Sequence, residues 1–387
     1  MKSSAFFIFF SIVITLYSLL NFLVYIRGIQ ALSGYPLLKP WYSVIFGILA
    51  LTYIVGRFLE KTSLVLTSEV LTRIGSFWLA AFFYFLLVIL VFDILRAINY
   101  FLPYFPEFVV ANYLKIKLYL FSGAVILVAS ILVAGYINAR NPRITKLTLT
   151  INKEVPGKPD FHIVFVSDIH LGTVIRKNRI REIVEKINSL KPDLIIMGGD
   201  VVDEDIAPVI RQNLGEELLS LKAPLGVISV TGNHEYIGGA DAAVKYLREH
   251  GLNVLRDTAI LVDGRFYIAG REDKDRERFT GKPRKEITDI LSAVDKSLPI
   301  ILIDHQPFHL EKAEQAGVDL QLSGHTHHGQ LWPFGYITSK IYEVSRGYKK
   351  KGNSHFFVST GLGTWGPPVR TGNRPEIVDI HLSFLKN

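Results

Sequence analysis

Five short segments of this chain end an apolar run on residues that can bind a metal ion. Ile163-Val164-Phe165-Val166 leads into Ser167-Asp168-Ile169-His170, and Leu194-Ile195-Ile196-Met197 leads into Gly198-Gly199-Asp200, with Asp203 close behind. Val227-Ile228-Ser229-Val230 runs into Thr231-Gly232-Asn233-His234-Glu235, and Ile300-Ile301-Leu302-Ile303 into Asp304-His305. Val318 to Leu322 runs into Ser323-Gly324-His325-Thr326-His327-His328. Side chains alternate along extended chain, so His325 and His327 are expected to face one point. A lone pair of histidines on a glycine-rich loop would be unremarkable. Carboxylates at buried strand ends are not, since each costs on the order of several kcal/mol unless paired or metal-bound. The donors are carboxylate, amide oxygen and imidazole, and the chain has no cysteine. That set suits two hard or borderline divalent ions better than a structural zinc. Two such ions about 3.5 to 4 Å apart form a clamp for in-line attack on phosphorus.

The order of these motifs, DxH, GDxxD, GNHE, a lone H and GHxH, resembles the calcineurin-like metallophosphoesterase family from about Ile144 to the end of the chain. The resemblance implies a fold of two facing mixed β-sheets flanked by helices. It implies that Asp168, His170, Asp200 and His327 hold one divalent ion and that Asp200, Asn233, His305 and His325 hold a second, with Asp200 bridging. Manganese, iron or zinc would serve. It assigns His234 to the transition state or the leaving oxygen, oriented by Asp203. Two departures narrow the expectation. After Asp203 this chain has Glu204-Asp205 where the protein-phosphatase branch has arginine and glycine, and that argues against a protein substrate. His328 stands where many membrane-associated bacterial relatives have glycine, and is a candidate substrate contact.

The elements that must position these residues are legible in outline. Asn178 is placed to cap a helix whose Ile180, Ile183, Val184 and Ile187 share one face, and Pro192 stops it. Strand, helix and strand then form a βαβ unit that brings Asp168 and Asp200 to one edge of a parallel pair. Ile144 to Ile151 alternates as an edge strand, and Asp263-Gly264 reads as a hairpin turn. Arg271 to Arg278 is almost wholly charged and reads as a solvated loop. Leu331 to Asn353 interleaves aromatics with Arg346 and Lys349-Lys350-Lys351, a composition suited to a lipid interface or to base stacking. Gly361 to Arg370 reads as a rigid loop able to bring Arg370 to a phosphate oxygen.

Composition places part of the chain in a membrane. The protein has 387 residues, 49% of them hydrophobic, and a net charge of +8. Four stretches are apolar and long enough to span: Ser4 to Ile26, Trp41 to about Leu59, Ile74 to Phe92, and Leu118 to Ala139. Asp93 closes the third and is expected at a helix end. Asn141-Pro142 must end the fourth, which divides the chain into a membrane domain (1–143) and a phosphoesterase domain (144–387). Four crossings put the N-terminus and the phosphoesterase domain on one side. That side carries Lys2, Arg57, Lys61, Arg73, Arg140, Arg143, Lys146 and Lys153, against Arg27, Lys39, Arg96, Lys115 and Lys117 opposite. The positive-inside rule then expects the domain in the cytoplasm, at a bacterial cell membrane.

The expected activity is hydrolysis of a phosphoester or pyrophosphate in a phospholipid or lipid-linked precursor, with no nucleic acid as partner. A phosphodiesterase for a soluble nucleotide is the second reading. A non-catalytic binding module is the third, and it should show a broken ligand set, which this chain does not.

Overall fold

The computed structural model describes residues 3–60 and 62–386; Lys2 and Lys61, counted among the basic flanks, lie outside the described residues. The chain divides into two compact units, residues 1–136 with 366–369 and residues 137–365 with 370–387.

The first unit is built on the long helices Ser3–Ala31, Lys39–Leu59, Val65–Phe101 and Tyr113–Arg140, the last of which runs on into the second unit. All four are long and apolar enough to cross a bilayer, and only 11 to 22% of each apolar stretch is buried within the protein. Such outward apolar faces are stable against lipid and not against water. Where helices touch, glycines allow it: a side chain on Gly75 would strike the Tyr53 backbone at 2.3 Å. The interior is aromatic, with Phe46 edge-on to Trp78 at 5.0 Å and the Trp78 Nε1–H donating to Asn21 Oδ1 at 3.1 Å. Asp93 is not at a helix end. Its helix continues to Phe101, and its carboxylate is satisfied in mid-helix by the Arg27 guanidinium at 2.6 Å.

The second unit contains two six-stranded sheets. The first has the order β1 (Arg143–Val155), β12 (Glu376–Lys386), β2 (Asp160–Val166), β3 (Leu194–Met197), β4 (Val227–Ser229), β5 (Leu252–Val254). The second runs β10 (Gly347–Lys351), β11 (Ser354–Val358), β9 (Leu320–Ser323), β8 (Ile300–Ile303), β7 (Phe266–Gly270), β6 (Thr258–Val262). Both are mixed, with antiparallel pairing at β12·β2, β6·β7 and β10·β11. Their inner faces share one core in which Phe161, Ile163 and Phe165 of β2 meet Phe266 and Ile268 of β7 and Ile301 and Ile303 of β8. Strands this apolar on both faces need cover on the outside too. The helix Lys177–Ser189 supplies it, burying Ile180, Ile183, Val184 and Ile187 against Val164 and Ile195. Arg176, not Asn178, occupies its N-cap, and no side chain caps it there.

The parallel trio β2-β3-β4 and the parallel pair β8-β9 matter most for function. Parallel strands end together, so their carboxyl ends deliver whatever follows them to one region. Asp263 and Gly264 do close the β6–β7 hairpin, both at positive φ (51° and 67°).

The charged run after β7 differs from expectation. Arg271, Glu272 and Asp273 are buried. Arg271 donates to Asp304 Oδ2 at 2.9 Å; Glu272 accepts from Thr231, Tyr236 and Arg256; Asp273 accepts from Gln306 Nε2. Each charge meets a partner brought by another strand end, which composition could not show.

Candidate metal centre

Each ligand candidate follows a strand in the parallel sets, and for all but Asn233 and His305 the turn that presents it is backbone-strained. Asp168, His170, Asp200, His325, His327 and His328 all sit at positive φ, between 41° and 69°. Non-glycine residues avoid this region, and such outliers cluster where geometry serves chemistry. The turns also need close approach: a side chain on Gly324 would lie 2.3 Å from Asp168 Oδ2.

The side chains converge in two adjoining groups, Asp168, His170 and His327, and Asp200, His305 and His325, with a third, His170, Asp203 and His234, sharing His170 beside the first. In the first, His170 Nε2 and His327 Nε2 are 3.0 Å apart and Asp168 Oδ1 is 3.6 Å from His327 Nε2. In the second, Asp200 Oδ2 is 3.1 Å from His305 Nε2, and His325 Nδ1 is 2.7 Å from Asn233 Oδ1. Asp200 Oδ2 is also 4.0 Å from His170 Nε2, so this one oxygen stands between the groups. Its other oxygen accepts the His234 backbone N–H at 2.8 Å. His325 and His327 therefore do not face one point. Strand β9 ends at Ser323 and the left-handed turns after it send His325 to one group and His327 to the other.

The donor set fits divalent cations on its own geometry. His305 Nδ1 lies 2.7 Å from the Gly198 carbonyl, which can only accept, so Nδ1 carries the proton. In the neutral ring Nε2 then points a lone pair at the Asp200 carboxylate, without hydrogen-bond geometry. A positive charge between these two electron-rich atoms, a metal ion or a proton on Nε2, offsets their repulsion. Burial opposes protonation of His305, yet Asp200 and Asp168 outweigh it and raise its pKa well above the usual value. Asp200, by contrast, is held well below the carboxylate range because His305 and His234 outweigh its burial. Burial and the adjacent Arg370 guanidinium hold His327 well below the usual imidazole value. His325 is driven down to about 3 by burial and by His305.

A second layer stands behind these groups. Asp203 Oδ1 lies 3.1 Å from His234 Nδ1 and 3.6 Å from His170 Nδ1, close to both rings. Burial would lower the pKa of His234, but Asp200 and Asp203 raise it to about 9. The His234 ring also packs edge-on against Trp365 at 5.9 Å. Glu235, in the same motif, has a role that sequence reasoning did not assign. It is buried, and its carboxylate accepts the backbone N–H groups of Asp200, Val202 and Gly232, which ties the Asp200 turn to the Asn233 turn.

Arg370 does not reach for a phosphate. It is fully buried, and all five of its N–H donors are engaged: by the Gly363 and Thr360 carbonyls, by Asn373 Oδ1, and by His327 Nδ1 at 3.0 Å. It orients His327. Arg370→Ala is accordingly expected to lower thermal stability, by about 1 to 3 kcal/mol for each buried acceptor left alone. A phosphate-gripping arginine would instead raise KM at unchanged stability, and differential scanning fluorimetry beside steady-state kinetics tells the two apart. His328 lies outside the two groups. Its Nδ1 is 3.0 Å from Ser345 Oγ, and the ring lines a cavity of about 620 Å³ with Trp332, Tyr336, Tyr342 and Arg346. Tyr342 joins that cavity to the centre through its ring contact with His325 at 6.1 Å.

Known proteins share this pattern. The profile of the calcineurin-like phosphoesterase family matches residues 161–329, which contain every proposed ligand. An uncharacterized metallophosphoesterase of Aquifex aeolicus is 35% identical over 247 residues, covering 63% of this chain and 93% of its own. One from Campylobacter jejuni is 28% identical over 386 residues, 98% of this chain and 100% of its own. A Danio rerio transmembrane protein with metallophosphoesterase domain is 28% identical over 272 residues, 67% of this chain and 62% of its own. The fold, the donor groups and the apolar helices together define a membrane protein that hydrolyses phosphoesters with the help of divalent metal. The chain belongs to the calcineurin-like metallophosphoesterase family.

Proposed function

We propose that this protein is a binuclear phosphoesterase that cleaves a phosphoester or pyrophosphate bond in a lipid-borne substrate at the membrane surface. Asp168, His170, Asp200 and His327 hold one ion, and Asp200, Asn233, His305 and His325 the other, with Asp200 shared. Manganese, iron and zinc all suit these donors. Such a pair supplies Lewis acidity toward the phosphoryl oxygens and a nucleophile at neutral pH. The protein's own groups do the rest. His234 stands beside the shared carboxylate and donates a proton to the leaving oxygen, while Asp203 fixes its tautomer and orientation.

The observation that carries the lipid reading is the cavity beside His328. It combines aromatic walls with the Arg346 cation, and the helix Gly335–Ile341 at its rim exposes Tyr336, Ile337 and Ile341. Amphipathic rings with apolar neighbours suit a headgroup boundary, and a cation there suits a lipid phosphate. The tether agrees: only Asn141 and Pro142 separate the helix ending at Arg140 from β1, a reach of no more than about 10 Å. The basic flanks favour the cytoplasmic face of a bacterial cell membrane.

The full chain, reconstituted in vesicles with Mn²⁺, tests this against cyclic and linear nucleotides, phosphorylated lipids and lipid-linked pyrophosphates. Lipid-borne substrates are expected to turn over fastest. Arg346→Ala should raise KM for them about tenfold, the loss of one hydrogen bond to a charged group, and leave a soluble nitrophenyl ester nearly unaffected. A nucleotide hydrolysed far faster than any lipid would transfer the assignment to an anchored nucleotide phosphodiesterase.

A further inference from the structure

A second donor cluster stands far from the catalytic centre, on the other end of the first sheet. His162 on β2 and His381 on β12 are direct cross-strand partners, and Asp379 precedes His381 by two on the same face. The opposite face of both strands carries Phe161, Ile163, Ile380 and Leu382 into the core between the sheets, so these three side chains point outward. Farther along this outer face Val164 and Ile377 lie in the cluster packed by the helix Lys177–Ser189. At His162 the face is open: the side chains of His162, Asp379 and His381 are 21%, 7% and 51% exposed. Six residues of chain separate His162 from Asp168, about 20 Å at strand rise.

The two imidazoles stack nearly parallel, 4.7 Å between centroids at 7°, and both present Nε2 to one oxygen. Asp379 Oδ1 is 2.5 Å from His162 Nε2 and 3.6 Å from His381 Nε2. A simple ion pair needs one imidazole. A second protonated ring stacked at this distance would add like-charge repulsion, and a second neutral ring gains little from a carboxylate already bonded. One divalent cation can use all three donors together once the exposed His381 ring turns out of the stack and aims its in-plane Nε2 lone pair beside that of His162. The strand end that carries His162 is itself anchored, its backbone N–H donating to Asp193 Oδ2 at 2.9 Å, so the cluster sits on a rigid frame.

We propose that His162, Asp379 and His381 form a separate binding site for a transition-metal dication of the zinc type, distinct from the catalytic pair. Two imidazoles and one carboxylate select zinc, cobalt, nickel or copper over calcium and magnesium, which prefer all-oxygen shells. Three protein ligands leave the remaining positions to water, so the site is exchangeable and weaker than a closed four-ligand site.

Zinc alone is the probe. Full-length wild type and His381→Ala, both in detergent, are dialysed to equilibrium against micromolar Zn²⁺ and their metal content measured. The wild type is expected to hold one zinc per chain more than His381→Ala, with nitrophenyl ester turnover the same in both. Because His381 is exposed, its loss does not threaten the fold. Repeating the pair in an Asp200→Ala background removes competition from the catalytic centre, and there Asp379→Asn should weaken the remaining zinc by more than about tenfold. Equal zinc in wild type and His381→Ala would overturn the proposal, as would zinc in the Asp200→Ala background that is indifferent to Asp379→Asn.

Discussion

Asp200→Ala is expected to empty both halves of the catalytic centre together and to reduce hydrolysis by more than about a hundredfold. Loss of groups that merely orient metal ligands already costs about 10- to 100-fold, and Asp200 is placed as a ligand itself. The argument rests on one oxygen. Asp200 Oδ2 is 3.1 Å from His305 Nε2 and 4.0 Å from His170 Nε2, while Oδ1 holds the His234 amide. Truncation removes the negative charge on which both groups converge, and it loosens the turn that carries Asn233 and His234. Elemental analysis of the purified variant is the measurement, with circular dichroism to show that the sheets survive. Asp200→Asn separates charge from shape: it can still accept the His234 amide, so its fold should be closer to wild type while its metal is lost. A variant that kept full metal at one group and lost it at the other would show that Asp200 is not shared.

His234→Ala should keep the metal and lose the proton. The ring lies beside Asp203 and against Trp365, outside the Asp168–His170–His327 and Asp200–His305–His325 groups to which the two ions are assigned. Its removal is expected to slow esters with poor leaving groups by roughly 10² to 10⁴, the usual worth of a positioned general acid. A nitrophenyl ester, whose leaving oxygen needs little protonation, should suffer far less. Equal losses on the two substrates would assign His234 to stabilising transition-state charge instead, and full activity on both would remove it from the mechanism. Asp203→Asn serves as the companion, since it leaves the ring in place but weakens its orientation; its effect should follow the same leaving-group trend at smaller size.

Much of this centre can be read from the chain because its signals are local. An apolar run closing on Asp168, on Asp200 or on His305 records a buried strand and what its end must carry, and such runs need no knowledge of the partner strands. The four membrane helices are legible for the same reason, since length and apolarity are properties of a single segment. The order of the five motifs then fixes which strand ends must meet, because parallel strands joined by helices have few ways to lie in a sheet.

What depends on contacts between distant segments was decided only by the tertiary structure. Alternation along a strand placed His325 and His327 together; the left-handed turns beyond β9 separate them and send one into each donor group. Arg370 reads as a free cation at the end of a glycine-rich loop, yet carbonyls from Thr360 and Gly363 with Asn373 and His327 surround it and make it a prop. The charged run from Arg271 reads as solvated, yet its first three residues are buried, where Asp304 pairs with Arg271, and Thr231 and Gln306 donate to Glu272 and Asp273 from other strand ends. Asp93 reads as a helix end until Arg27 from another helix meets it. The pairing of His162 with Asp379 and His381 joins strands that lie more than two hundred positions apart in sequence. In each case a polar group is buried or held because a partner from elsewhere in the chain offsets its lost hydration, and composition within one segment carries no record of that partner.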